Sequence, residues 1–191
     1  MNESIDIEVV RAEALRKLGR NVVNFSKIEA ALKYLLAISQ FKISEEKISE
    51  QLLQNQTRLH KQTLGKLVQE FHKNVVTDAS PADIETASAN PGFSLYFKVT
   101  CDDTDFLKDQ KRELSAIVAE RNKLIHQDLA LLDTSCVGDY QKLISLLDEQ
   151  NPRLLAHLED LAWIIDALGN NLRALEDFLK SPEFLQSIQP N

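Results

Sequence analysis

Residues 120–129, ERNKLIHQDL, put an arginine, an asparagine and a histidine within two turns of an amphipathic helix. At about 100° per residue, Leu107, Leu114, Ile117, Val118, Leu124 and Ile125 share one apolar arc, and Arg121 falls in its middle. Asn122 and His126, four apart, sit one above the other on the flank of that arc. A guanidinium in an apolar seam is costly to bury unless a counter-charge meets it. The reading of the whole chain therefore turns on what Arg121 faces.

A second anomaly lies near the N-terminus. The spacing of Leu15, Leu18, Val22, Phe25, Leu32 and Leu36 predicts a long helix from about Ser4 to about Phe41, with Gly19 as its weakest point. Glu29 stands in the same series. A carboxylate and a guanidinium, each in an apolar stripe, suggest each other, and a buried Glu29–Arg121 pair is expected to hold the arginine in place. Such a pair serves equally well as a structural ion pair or as part of a site.

Working outward, Ser44 is a good N-cap for a second helix, whose apolar positions Leu52, Leu59, Leu64, Leu67, Phe71 and Val75 continue past Gly65. From 77 to 102 the texture changes. Pro81, Pro91 and Gly92 punctuate the segment, and FSLYFKVT at 93–100 favours β structure. This stretch is read as an insertion with a short strand or hairpin, serving either specificity or plain connection.

The motif helix starts near residues 103–105. A fourth helix follows at about 139–149, and Asn151-Pro152 opens a fifth with proline in its first turn. There Leu154, Leu158, Leu161, Ile165, Leu168, Leu172, Leu175 and Leu179 form a heptad seam, used inside a bundle or between subunits. The predicted architecture is one all-α domain over 1–191: a helical bundle of about five helices with a small β-prone insertion at 77–102.

Composition narrows the function classes. With 22 Lys and Arg against 29 Asp and Glu, the net charge is -7, a global field that repels nucleic acid and anionic membranes. Any RNA contact must come from a local patch. Cys101 and Cys136 have no metal-ligand spacing, which fits free thiols in a reducing compartment. The opening MNESIDIEVV has no basic segment followed by an apolar one, and no apolar run approaches a membrane span. A cytoplasmic protein without a membrane partner is expected.

The trio's chemistry suits RNA cleavage without a metal. That reaction requires a base for the 2′-hydroxyl proton, a cation for the phosphorane and an acid for the departing 5′-oxygen. Imidazole, with an ordinary pKa of about 6.5, serves as base or acid, and a guanidinium binds phosphate oxygens with a charged planar fork. Asparagine orients either by hydrogen bonding. One histidine in the cluster is one too few, so a symmetric homodimer with two motif helices face to face is predicted, supplying both proton transfers.

Arg121-Asn122-Lys123-Leu124-Ile125-His126 resembles the signature of the HEPN superfamily, all-α domains with Arg, four to six residues, then His, commonly with Asn after the Arg. AIVAERNKLIHQD and the first-helix stretch LGRNVVNFSKIEAALKYLL share the family's look; the 77–102 insertion is not accounted for by it. The resemblance implies a metal-independent endoribonuclease acting as a dimer on an RNA substrate, in toxin–antitoxin, phage-defence or RNA-processing systems, with no cofactor and no metal. It assigns Arg121 and His126 as catalytic and Asn122 as supporting; Glu29 as a site residue comes from the periodicity above. A cognate antitoxin or regulatory protein is a further implied partner. Toxins silenced by a nucleotidyltransferase carry Tyr two residues after the His, whereas here Asp128 stands in that place.

A different class of function fits the same residues. Silent members of the family exist, and in a non-catalytic interaction or nucleotide-binding module the trio would knit a dimer or meet a partner. His60, His72 and His157 lie too far apart for a joint metal site and are read as surface or edge residues.

Overall fold

The computed structural model describes residues 6–43, 48–77, 93–100 and 104–187. These residues are mostly helical. The Ser44 cap and most of the 77–102 insertion, including Pro81, Pro91 and Gly92, lie outside them.

Helix α1 spans Ile7–Ile38, opened by Asp6, whose carboxylate accepts from the Glu8 backbone N–H at 3.0 Å. It runs unbroken through Gly19, which sits on the solvent face with open space around its Cα. A missing side chain there removes no packing. The buried arc of α1 runs through Ala14, Asn21, Phe25, Ile28, Leu32 and Leu35. Leu15 is half exposed and Val22 more than a third, which places the true arc one step round from the series read off the leucines and valine alone.

The predicted second helix is two. Helix α2 spans Ile48–His60 and α3 spans Leu64–Asn74. Thr63 ends the continuity: its hydroxyl accepts from the Lys66 N–H at 3.4 Å and caps α3, while Gln62 N–H closes a turn onto the Leu59 carbonyl. A side-chain cap competes with the helical ladder, which apolar periodicity alone does not register.

Among the described residues four short strands flank the helices: β1 (Gln40–Ile43), β2 (Val76–Thr77), β3 (Phe93–Tyr96) and β4 (Val99–Thr100). β1 pairs antiparallel with β3, Gln40 opposite Tyr96, and β2 pairs in parallel with β4, Val76 opposite Val99. Neighbouring β3 and β4 thus reach two different partners rather than each other.

Helix α4 spans Thr104–Lys123 and passes into a π-helical turn at Leu124–Asp128. Helix α5 then runs from Val137 to Leu179 in one piece, with Pro152 inside it, and the short α6 covers Pro182–Ser187. The expected break at Asn151-Pro152 does not occur. Interior proline costs about 3 kcal/mol, because it removes a hydrogen bond and crowds the carbonyl four residues back. One residue before the carbonyl that the proline leaves without its donor, the Leu147 carbonyl accepts from the Asn21 side chain at 2.9 Å and from Arg20 at 3.1 Å, which ties this part of α5 to α1. Burial of Leu147 and Leu154 on either side of the proline holds the helix together.

α1 and α5 form the longest packed pair. Lys17 meets Asp148, Asn21 meets Gln150 and Asn24 meets Asn151, so the two helices run in the same direction. α4 lies against α5 in the opposite sense, with Glu120 near Gln150 and Arg153 and Leu107 near Ile164. Of the leucine seam, Leu154, Leu161 and Leu168 are buried within the chain, while Leu172 and Leu179 are exposed. Among the described residues, no helix is long and apolar enough to cross a membrane.

Candidate functional site

The motif falls where α4 changes its winding. Arg121 and Asn122 belong to the last α-helical turn, and His126 lies at the centre of the π turn. The Leu129 N–H reaches the Leu124 carbonyl, five residues back, at 3.1 Å. The wider turn brings residues five apart into register, and the Lys123 ammonium accordingly stands 3.7 Å from the Asp128 carboxylate. Single π turns of this kind inside α-helices are frequent at functional sites.

Leu114, Ile117 and Leu124 on the same face are buried and pin the helix to the core. Arg121 follows them only to the rim, where it is half-buried, and Asn122 and His126 are exposed. The Arg121 guanidinium donates through Nη1 to the Asn122 side-chain carbonyl at 3.3 Å. His126 is exposed and makes no hydrogen bond or ion pair among the described residues.

Glu29 is not part of this cluster. Its carboxylate accepts from the Lys33 ammonium, one turn along α1, at 2.6 Å. The expected Glu29–Arg121 pair is replaced by this local one for two reasons. Glu29 sits beside the buried arc rather than in it, with 29% of its side chain exposed, and an arginine at the rim is hydrated and needs no buried counter-charge. Glu29 instead lines a cleft of about 590 Å³ between α1 and α2, floored by Ala37, Leu52 and Leu59 and edged by Tyr34 and His60.

The residue that does anchor the motif helix is Glu120, next to Arg121. Its carboxylate accepts from the Gln150 amide at 3.1 Å and pairs with Arg153. Gln150 is buried and accepts in turn from Asn21 at 3.0 Å, so α4, α5 and α1 are tied by one polar chain. Beyond it Arg20 donates to the Asn21 side-chain oxygen at 3.0 Å and to Asp148 at 3.3 Å. The Lys17 and Arg20 partners hold the Asp148 carboxyl below its ordinary range.

None of Asn21, Asn24, Glu120 or Gln150 is conspicuous in the sequence. Drawing the α1 stripe through Ala14 rather than Leu15 would have placed Asn21 on the buried side, which is the one signal available. A groove of about 190 Å³ beside the π turn is lined by Glu120, Asp128 and Glu149 against Lys123 and Arg153, three carboxylates to two cations. Among the described residues, no three His, Cys, Asp or Glu side chains gather as metal ligands do.

No family model matches the chain, nor does any curated protein or solved structure.

Proposed function

We propose that the chain is a metal-independent endoribonuclease of the HEPN kind, a single helical-bundle domain with an insertion at 77–102, working as a pair of identical copies. The observation that carries this reading is the solvent-open turn on which an arginine, its hydrogen-bonded asparagine and a histidine with two unengaged nitrogens stand together. In the proposed reaction His126 of one copy takes the 2′-hydroxyl proton, and the 2′-oxygen attacks the adjacent phosphorus. The phosphorus–5′-oxygen bond breaks as His126 of the second copy supplies a proton, leaving a 2′,3′-cyclic phosphate and a 5′-hydroxyl. Arg121 stabilises the charge on the phosphorane oxygens, and Asn122 orients Arg121. Two arginines converging on one phosphate would offset the acidic surround.

Purified protein incubated with RNA in EDTA tests this, with product ends read by mass spectrometry. Cyclic phosphate ends are expected from the wild type, reduced about 10²–10⁴-fold in His126→Ala. Cleavage that survives in the variant would remove His126 from the mechanism.

The carboxylate majority in the groove beside the π turn favours a second reading, a non-catalytic module that receives a partner on the trio. A wild type that leaves every RNA intact while dimer formation depends on Arg121 and His126 would move the assignment there.

A further inference from the structure

A pocket of about 90 Å³ lies between α4, α5 and the β2–β4 pair, on a different part of the molecule from the π turn. Val76, Val99, Leu107 and Ile164 make its apolar floor. Its polar lining consists of Gln110 from α4 and Asp160 from α5. The Gln110 side-chain oxygen is buried and receives no donor among the described residues. Asp160 is solvent-accessible at the rim, where its neighbour His157 stands 3.9 Å away. Burial lowers the pKa of His157, which disfavours a charged imidazolium beside Asp160.

Trp163, three residues on from Asp160 and on the same face of α5, completes the lining. It is the chain's single tryptophan, and 66% of it is exposed. A large aromatic surface left in water beside a carboxylate and a donor-less amide oxygen offers a negative π face and two acceptors. Among the described residues, no Lys, Arg or His lines the pocket. Among the described residues an anion has no counter-charge there, and a neutral apolar guest leaves the buried Gln110 oxygen without a donor.

We propose that this pocket binds an aliphatic primary ammonium. The cation lies against the Trp163 ring and the Asp160 carboxylate, the Gln110 oxygen accepts one of its three hydrogens, and the first methylenes rest on Val76, Val99, Leu107 and Ile164. The volume, roughly that of three waters, suits an ammonium with its first few carbons and excludes bulkier heads. The net charge of -7 favours its approach. The ammonium belongs either to a free amine or to a lysine side chain, and the two sources are separable by experiment.

Trp163 reports its own pocket, since no other tryptophan contributes to the emission. The full chain is titrated with n-butylammonium chloride at constant ionic strength, beside neutral n-butanol, in wild type and Asp160→Asn. A saturable change with the ammonium is expected, about tenfold weaker with the alcohol and about tenfold weaker in the variant. Calorimetric titration of Trp163→Leu, its fold checked by circular dichroism, is expected to show loss of binding. Putrescine and an acetylated, amidated lysine then distinguish the sources, the stronger binder naming the natural one. Equal response to alcohol and ammonium, an Asp160→Asn curve matching wild type, or no saturable response each overturn the proposal.

Discussion

The α1–α5 seam and the π turn at the end of α4 both carry amides and charged groups on amphipathic helices, yet they treat them in opposite ways. In the seam, Asn21, Asn24 and Gln150 are buried, and each is engaged: Asn21 with Leu147 and Gln150, Asn24 with Asn151, Gln150 with Glu120. At the motif, among the described residues, Asn122 meets only its neighbour Arg121, and His126 on the π turn has no hydrogen-bond or ion-pair partner. Polar groups that fasten a fold spend their hydrogen-bonding capacity inside it. Those proposed to do chemistry keep theirs free. The two regions are joined through Glu120, one residue before the arginine, so the satisfied network fixes the place from which the open one projects.

The sharpest way to break this contrast is to empty the seam. Asn21→Leu removes the donor to the Leu147 carbonyl and to the Gln150 side-chain oxygen, and is expected to cost about 2–3 kcal/mol in urea denaturation. A change below half a kilocalorie, roughly the size of an ordinary surface substitution, would show that the network fastens nothing.

A smaller effect is expected from His72, which belongs to neither class. Its Nε2 is buried without a partner among the described residues, and burial, reinforced by the charge of Lys111, lowers its pKa to about 4. The folded state holds this proton more weakly than the unfolded chain does. Stability is therefore complete above the ordinary value of 6.5 and falls as pH drops toward 4, by about 2 kcal/mol after allowing for solvent screening. Urea midpoints at pH 7 and pH 4.5 should converge in His72→Leu relative to wild type. An unchanged difference would assign the acid sensitivity to other groups.

The smallest effect belongs to Glu29→Gln. A partly exposed partner of Lys33 contributes less than about 0.5 kcal/mol, whereas a buried counter-charge to Arg121 would be worth about 3–5 kcal/mol. Thermal unfolding of the variant separates these two roles for the carboxylate cleanly. A large loss would restore Glu29 to the motif cluster.

Helical character, the place of the Arg-Asn-His trio near the end of a helix and the apolar arc of Leu114, Ile117 and Leu124 were legible from periodicity, because a stripe of large apolar residues is a local signal. Element boundaries were less so. Pro152 signals a helix start by every local criterion, yet α5 passes through it, with Leu147 and Leu154 buried on either side of the proline. Thr63 ended a helix where the apolar pattern continued.

By itself, then, the chain's own pattern determined that long amphipathic helices form and that ERNKLIH rides on one of them. Tertiary structure decided the rest: which face of α1 is inside, that Glu29 answers to Lys33, and that Glu120 rather than Arg121 is tied to the core. The physical reason is that periodicity counts apolar side chains one helix at a time. Burial of an amide or a carboxylate depends on a partner more than a hundred residues away, as with Asn21 and Gln150.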